Sequence, residues 1–154
     1  GVKYGANEKS DIALRVIADH ARTSMMLIGD GVLPGNEGRG YVLRRMMRRT
    51  IRNMRILGAN DPIIKELTLS AIAAMGPQYP ELVENQNRIL AVSESEEESF
   101  LQTLKSGTQI FDTAIESVKK VGSEKLTGET VFKLHDTYGF PFDFEFIAFG
   151  IHVC

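Results

Sequence analysis

The chain of 154 residues is 43% hydrophobic and 25% charged, a composition typical of a globular protein with room for one domain or two small ones. This composition excludes disordered, collagen-like and low-complexity proteins. No segment approaches the roughly 20 apolar residues of a membrane-spanning helix, and no leader peptide is recognisable, so we expect a soluble cytoplasmic protein. Because the first residue is Gly1 rather than Met, we expect a piece of a longer protein.

The formal net charge of −2 hides an asymmetry along the chain. Residues 1–60 carry 11 Lys and Arg against 5 Asp and Glu, whereas residues 61–154 carry 7 against 15. An asymmetry of this kind indicates a basic element that faces a polyanion, on an otherwise acidic body. Metal chemistry is not indicated, because the single cysteine is Cys154 and the three histidines (His20, His135 and His152) lack ligand spacing.

Apolar periodicity is helical in the first third of the chain. Ser10 is a candidate N-cap for a helix that runs to about Ile28. Residues 29–40 contain five glycines and one proline in 12 positions, so they predict a loop. A second helix follows from about Tyr41 to Leu57, where Gly58 ends it.

The rest of the chain is also helical by its pattern. Asp61 and Pro62 predict the cap and first residue of a third helix, closed by Gly76. A long helix is expected from Pro80 to about Lys120, with an allowance for a break near Ser93. A last helix is expected over residues 127–138. The predicted fold is all-α, a helical bundle with one long helix and a glycine-rich loop.

Four glutamates stand close together within the predicted long helix. Carboxylates near a helix N-terminus are favoured by the helix dipole, so we interpret this group as a solvated helix start rather than a metal site. The group consists of Glu94, Glu96, Glu97 and Glu98.

The second helix separates apolar and basic residues onto opposite faces. Asp and Glu are absent from residues 38–60, whereas solvated surface helices usually interleave acids with bases. Arginine without lysine favours phosphate binding over a plain solvated face, because guanidinium groups bind phosphate in a bidentate manner. An anionic membrane is the weaker alternative, since the apolar face has no Trp or Phe. The apolar face holds Val42, Leu43, Met46, Met47, Ile51, Met54 and Leu57, and the basic face Arg44, Arg45, Arg48, Arg49, Arg52 and Arg55.

The glycine-rich loop fails the P-loop pattern, because no Lys-Ser or Lys-Thr follows its last glycine and no strand precedes it. We favour a loop whose backbone approaches another large surface, with Asn36 and Glu37 exposed at its tip. Asp136 lies in the last turn of the final helix, where the dipole disfavours an anion, so it is either functional or a capping or salt-bridging residue. Asp19, His20 and Arg22 favour a polar hinge over a catalytic group, because no nucleophile accompanies them.

Four blocks in order resemble the alanyl-tRNA synthetase family over about residues 1–143. The two most specific are Asn36-Glu37-Gly38-Arg39-Gly40-Tyr41-Val42-Leu43-Arg44-Arg45 and Asp136-Thr137-Tyr138-Gly139-Phe140-Pro141. The other two are Asp19-His20-Ala21-Arg22 and Glu96-Glu97-Glu98-Ser99-Phe100. The resemblance implies a helical tRNA-recognition domain over residues 1–143, with a candidate subdomain turn at residues 122–128, between the catalytic and editing domains of the longer enzyme.

The resemblance also implies a function and a site. The domain would bind the acceptor stem of tRNA(Ala), with Asn36 and Asp136 approaching a G:U wobble pair from the minor groove. Phosphate contacts would come from Arg39, Arg44, Arg45, Arg48, Arg49 and Arg52. The longer enzyme would attach alanine using ATP and Mg, with Zn in its editing domain, whereas no catalytic residue and no cofactor is expected in this chain.

Departures from the family pattern are Gly35, where a serine is usual, and His135, where a tyrosine is usual. Residues 144–154 no longer follow the family and form an atypical tail. The alternative is a free-standing helical adaptor that binds RNA or protein without synthetase activity.

Overall fold

A computed structural model describes residues 1–120 of the chain. All regular secondary structure in these residues is helical, which confirms the predicted all-α class. The helices are α1 (Glu8–Gly29), α2 (Gly38–Ile56), α3 (Ile64–Met75), α4 (Pro80–Glu84) and α5 (Gln86–Lys120). The chain divides into two compact units, and the boundary falls within α5, between Glu98 and Ser99. None of the helices described is long and apolar enough to cross a membrane.

The N-cap of the first helix lies three residues before the predicted one. Asn7 is the N-cap, and its side chain accepts a hydrogen bond from the Ser10 backbone N–H at 2.9 Å. The prediction of Ser10 as the cap is wrong, because Ser10 lies one turn inside the helix and its hydroxyl donates back to the Asn7 carbonyl at 3.0 Å. At the other end, Gly31 has a φ of +89° and the Val32 N–H bonds the Leu27 carbonyl, the pattern of a Schellman cap.

The second helix begins at Gly38, so the loop is shorter than predicted. Gly40 lies inside the helix, and the preceding loop folds back against this residue. A Cβ at position 40 would lie 2.6 Å from the Leu33 carbonyl oxygen. The Gly35 N–H donates to the Gly40 carbonyl at 3.0 Å. Glycine here allows two backbones to approach, which the sequence pattern did not distinguish from a longer loop. The end at Gly58 (φ +94°) is as predicted.

The third helix begins at Ile64, so the predicted cap at Asp61 and first helical residue at Pro62 are wrong. The predicted long helix is divided at Asn85 into α4 and α5, and Ser93 is buried within the uninterrupted α5. The predicted last helix (127–138), the turn at residues 122–128 and the tail at residues 144–154 lie outside the described residues.

The hydrophobic core of the first unit is formed by side chains from all five helices. Its members are fully or nearly fully buried, which is the main source of stability for such an assembly. They are Met25, Ile28, Leu43, Met47, Ala71, Ile72, Leu82 and Ile89. The apolar face predicted for α2 is thus confirmed at Leu43 and Met47, but Val42 is 53% exposed. Val42 lies about 140° from Met47 around the helix, beyond the buried stripe.

Candidate nucleic-acid interface

The arginines of α2 do not form one uniform solvent-facing surface. Arg39, Arg45 and Arg49 are exposed, whereas Arg44, Arg48 and Arg52 are only partly exposed. The difference arises because the helix is flanked on one side by a part of the chain some 50 residues downstream. Phosphate binding by this set remains a prediction, and the exposed members are the ones best placed for it.

Glu96 of α5 pairs with two of the arginines at once. Its Oε2 lies 3.2 Å from Arg44 Nε and its Oε1 lies 2.8 Å from Arg48 Nε, while its side chain is only 5% exposed. Arg44 and Arg48 are one helical turn apart, so both guanidinium groups reach the same carboxylate. A carboxylate can be buried in this way because each of its oxygens accepts a charge-assisted hydrogen bond.

This geometry corrects the interpretation of the glutamate group. Glu96 and Glu97 are buried and lie about three turns inside α5, so they do not belong to a solvated helix start. Glu97 accepts hydrogen bonds from the backbone N–H groups of Ile63 at 3.0 Å and Ile64 at 3.1 Å. Only Glu94 and Glu98 are exposed as expected, and Glu94 pairs with Lys65 at 3.1 Å. Four acids in five positions of a helix cannot all share one solvated face, and that was the signal available in the sequence.

Asn36 is exposed in the loop before α2, as predicted, and it is held by Arg44. Arg44 Nη1 donates a hydrogen bond to Asn36 Oδ1. Because guanidinium is a donor only, it must face the amide oxygen, and the Asn36 NH₂ group then points elsewhere. Within residues 1–120 that NH₂ group has no protein acceptor. Glu96, Arg44 and Asn36 therefore form a continuous chain of hydrogen bonds that ends in an exposed donor.

An aromatic ring lies within the basic face of α2, a feature that the charge pattern of the sequence did not predict. The Arg45 guanidinium lies 5.8 Å from the centre of the Tyr41 ring, within cation–π range. Tyr41, Val42 and Ile56 are all exposed on this helix. The exposed face of α2 is consequently mixed, with cationic groups for anions and flat or branched apolar groups for surface contact.

The remaining sequence candidates form no further site in the described part of the chain. His20 Nδ1 lies 3.0 Å from Asp19 Oδ2, and Arg22 Nε donates to the Ala18 carbonyl of its own helix. No group of three or more potential metal ligands occurs in residues 1–120. Asp136, the second predicted base-reading residue, lies outside the described residues.

Comparison with known proteins places this chain in a family. The model of the family described as tRNA synthetases class II (A) matches residues 1–146. The alanine–tRNA ligase of Streptomyces avermitilis is 60% identical over 143 residues, that of Parafrankia sp. 57% and that of Corynebacterium glutamicum (strain R) 54%. Each alignment covers 93% of this chain and 16% of the relative, so the chain spans about a sixth of the length of these proteins. Since the family model covers nearly the whole sequence, the chain belongs to the class II (A) tRNA synthetases.

Proposed function

We propose that this chain is the acceptor-stem recognition module of a cytoplasmic alanine–tRNA ligase and reads a G:U wobble pair from the minor groove. The longer protein would attach alanine to tRNA(Ala) using ATP. The observation that carries the proposal is the exposed Asn36 amide, whose oxygen is held by Arg44 beside a helix rich in exposed arginine, so that its NH₂ group has no acceptor among residues 1–120.

The chemistry of A-form RNA supports this function. Its deep major groove is closed to side chains, while its shallow minor groove displays base edges and 2′-hydroxyls. Uracil presents O2 there as an acceptor, and an amide NH₂ can donate to it. A short, exposed side chain in the loop before a helix is suited to a shallow groove, and Asn36 has these properties.

Phosphate contacts would fix the position of the stem without specifying its sequence. Arg39, Arg45 and Arg49 support this role best because they are exposed. The charges of Arg44 and Arg48 are shared with Glu96, so their contribution to phosphate binding should be smaller. Arg52 is partly exposed and belongs to the same proposal.

The second base contact is proposed for Asp136 by family resemblance. Guanine alone places an amino donor in the minor groove, and a carboxylate can accept from it. ATP and Mg would be bound by the catalytic part of the longer protein, and Zn by its editing domain. The described residues contain no cluster of three or more potential ligands for these metals.

The test is a binding comparison between acceptor-stem duplexes that differ only at one pair, G:U or G:C. The purified chain should bind the G:U duplex more tightly, and binding of both duplexes should weaken steeply with salt. Equal affinity for the two duplexes would contradict base recognition. Equal affinity for RNA and for a neutral control polymer would contradict nucleic-acid binding altogether and favour a protein-binding adaptor.

A further inference from the structure

We infer that Glu96 and Arg44 are positioning residues that set the orientation of the Asn36 amide, so that it offers donors rather than an acceptor to the RNA. The inference rests on the proposed function, in which Asn36 contacts a base edge. It goes further because it assigns the sense of that contact, donor or acceptor, to two residues that need not touch the base themselves.

The sense of an amide contact is not fixed by the asparagine alone. An exposed asparagine side chain can turn by half a rotation about its last bond and exchange oxygen for NH₂ at nearly equal energy in water. In one orientation it would donate to uracil O2, and in the other it would set two acceptors against each other. Selection between these two orientations must therefore come from a neighbouring group.

Arg44 makes this selection because it can only donate. Its Nη1 bonds Asn36 Oδ1, so the flipped amide would place NH₂ against guanidinium and break the hydrogen bond. Arg44 sits at a suitable place for this role, about two helical turns from Asn36 along the chain and on the side of α2 next to the loop.

Glu96 in turn holds Arg44. It bonds Arg44 through Nε, which leaves the Nη1 group free to reach the loop. Its other oxygen is held by Arg48 at 2.8 Å, and the carboxylate is almost fully buried, so it has little freedom to rotate. The buried carboxylate thus fixes one guanidinium, and the guanidinium fixes one exposed amide.

The first experiment measures the order of the Asn36 side chain without RNA. Nitrogen relaxation of its NH₂ group would be compared between the native chain, Arg44→Met and Glu96→Gln, with the signal assigned from its disappearance in Asn36→Asp. Arg44→Met keeps the length of the aliphatic stem and removes every donor. Arg15→Met on α1 is the control, because Arg15 is an exposed arginine outside the chain of hydrogen bonds and the charge change is the same.

We expect the Asn36 order parameter to fall toward the flexible range, below about 0.6, in Arg44→Met and to stay unchanged in Arg15→Met. Glu96→Gln should act in the same direction. Should Glu96→Gln fail to fold, Arg44→Met alone decides, since its side chain lies at the edge of the surface. An unchanged order parameter in Arg44→Met overturns the inference.

The second experiment measures the preference for G:U over G:C duplexes. Arg44→Met should reduce this preference by about twofold, because about half of the amides would then face the base with the wrong group, while Arg15→Met keeps it. If the native chain shows no preference, the proposed function fails, and the order parameter still decides the positioning. If Arg44→Met loosens Asn36 but leaves the native preference intact, the inference is wrong while the proposed function stands.

Discussion

The carboxylate of Glu97 caps the first turn of α3 by accepting the backbone N–H of Ile64 at 3.1 Å, from 33 residues further along the chain. The same carboxylate accepts the Ile63 N–H at 3.0 Å. The first N–H groups of a helix have no partner inside the helix, and here a buried side chain of another helix supplies it. The start of α3 is therefore fixed by tertiary structure.

Replacing Glu97 by Ala should destabilise the fold by about 1–3 kcal/mol, because a buried and a partly buried backbone N–H group would be left without an acceptor. Urea unfolding followed by circular dichroism measures the change. Glu98→Ala is the control, since the Glu98 side chain is exposed and its removal should change stability by less than about 0.5 kcal/mol. Similar effects in both variants would contradict the capping role.

Gly40→Ala should be destabilising by about 1–3 kcal/mol, although alanine normally favours a helix by about 1 kcal/mol over glycine. The new Cβ would lie 2.6 Å from the Leu33 carbonyl oxygen and 3.1 Å from the Gly35 nitrogen, and both are backbone atoms that cannot move aside cheaply. Gly35→Ala is the matched variant, because its nearest neighbour lies at 3.8 Å. Thermal unfolding compares the two, and a more stable Gly40→Ala would show that the close approach is absent.

Replacing Arg45 and Arg49 together by Gln should flatten the salt dependence of RNA binding. The log–log slope should decrease by about 0.7–0.9 for each phosphate that is no longer neutralised, and G:U and G:C duplexes should be affected alike. Titrations at several salt concentrations measure the slope. Arg15→Gln on α1 should leave the slope unchanged. An unchanged slope in the double variant would show that Arg45 and Arg49 face solvent and do not contact phosphate.

Asn36→Ala and Asp136→Ala should each reduce discrimination between G:U and G:C duplexes by about 1–3 kcal/mol while changing overall affinity less. Base-edge contacts are specific to the wobble pair, whereas phosphate contacts are shared by all stems. Competition between the two duplexes measures discrimination directly. Retention of the native preference in both variants would leave the family assignment intact and remove the recognition roles.

Local signals in the sequence predicted the parts of the fold that depend on neighbouring residues. Gly58 ends α2 as predicted because a left-handed residue at a helix end is a local requirement. Leu43 and Met47 are buried as the helical period required. By contrast, the start of α3 depends on Glu97. The sequence near Asp61 and Pro62 does not include this residue, so it could not predict where the helix starts.

The candidate site was predictable to a similar extent. The basic face of α2 and the exposed position of Asn36 followed from composition and loop chemistry. The absence of acids near the arginines in sequence did not reveal Glu96, which reaches them from α5. Pairings over 48 and 52 residues depend on how helices pack, and no single-helix pattern contains that information.

Glu96 and Glu97 are consecutive, so their side chains leave α5 about 100° apart. One is held by α2 and the other by the start of α3, and together they fix the rotation of residues 86–98 of α5 about the helix axis. Inserting one residue just before Glu96 would turn both carboxylates away from their partners at once. The number of residues between Ile89 in the core and these two glutamates is therefore fixed. We expect an inserted residue to be tolerated better at Asn85, the junction between α4 and α5, which lies upstream of Ile89.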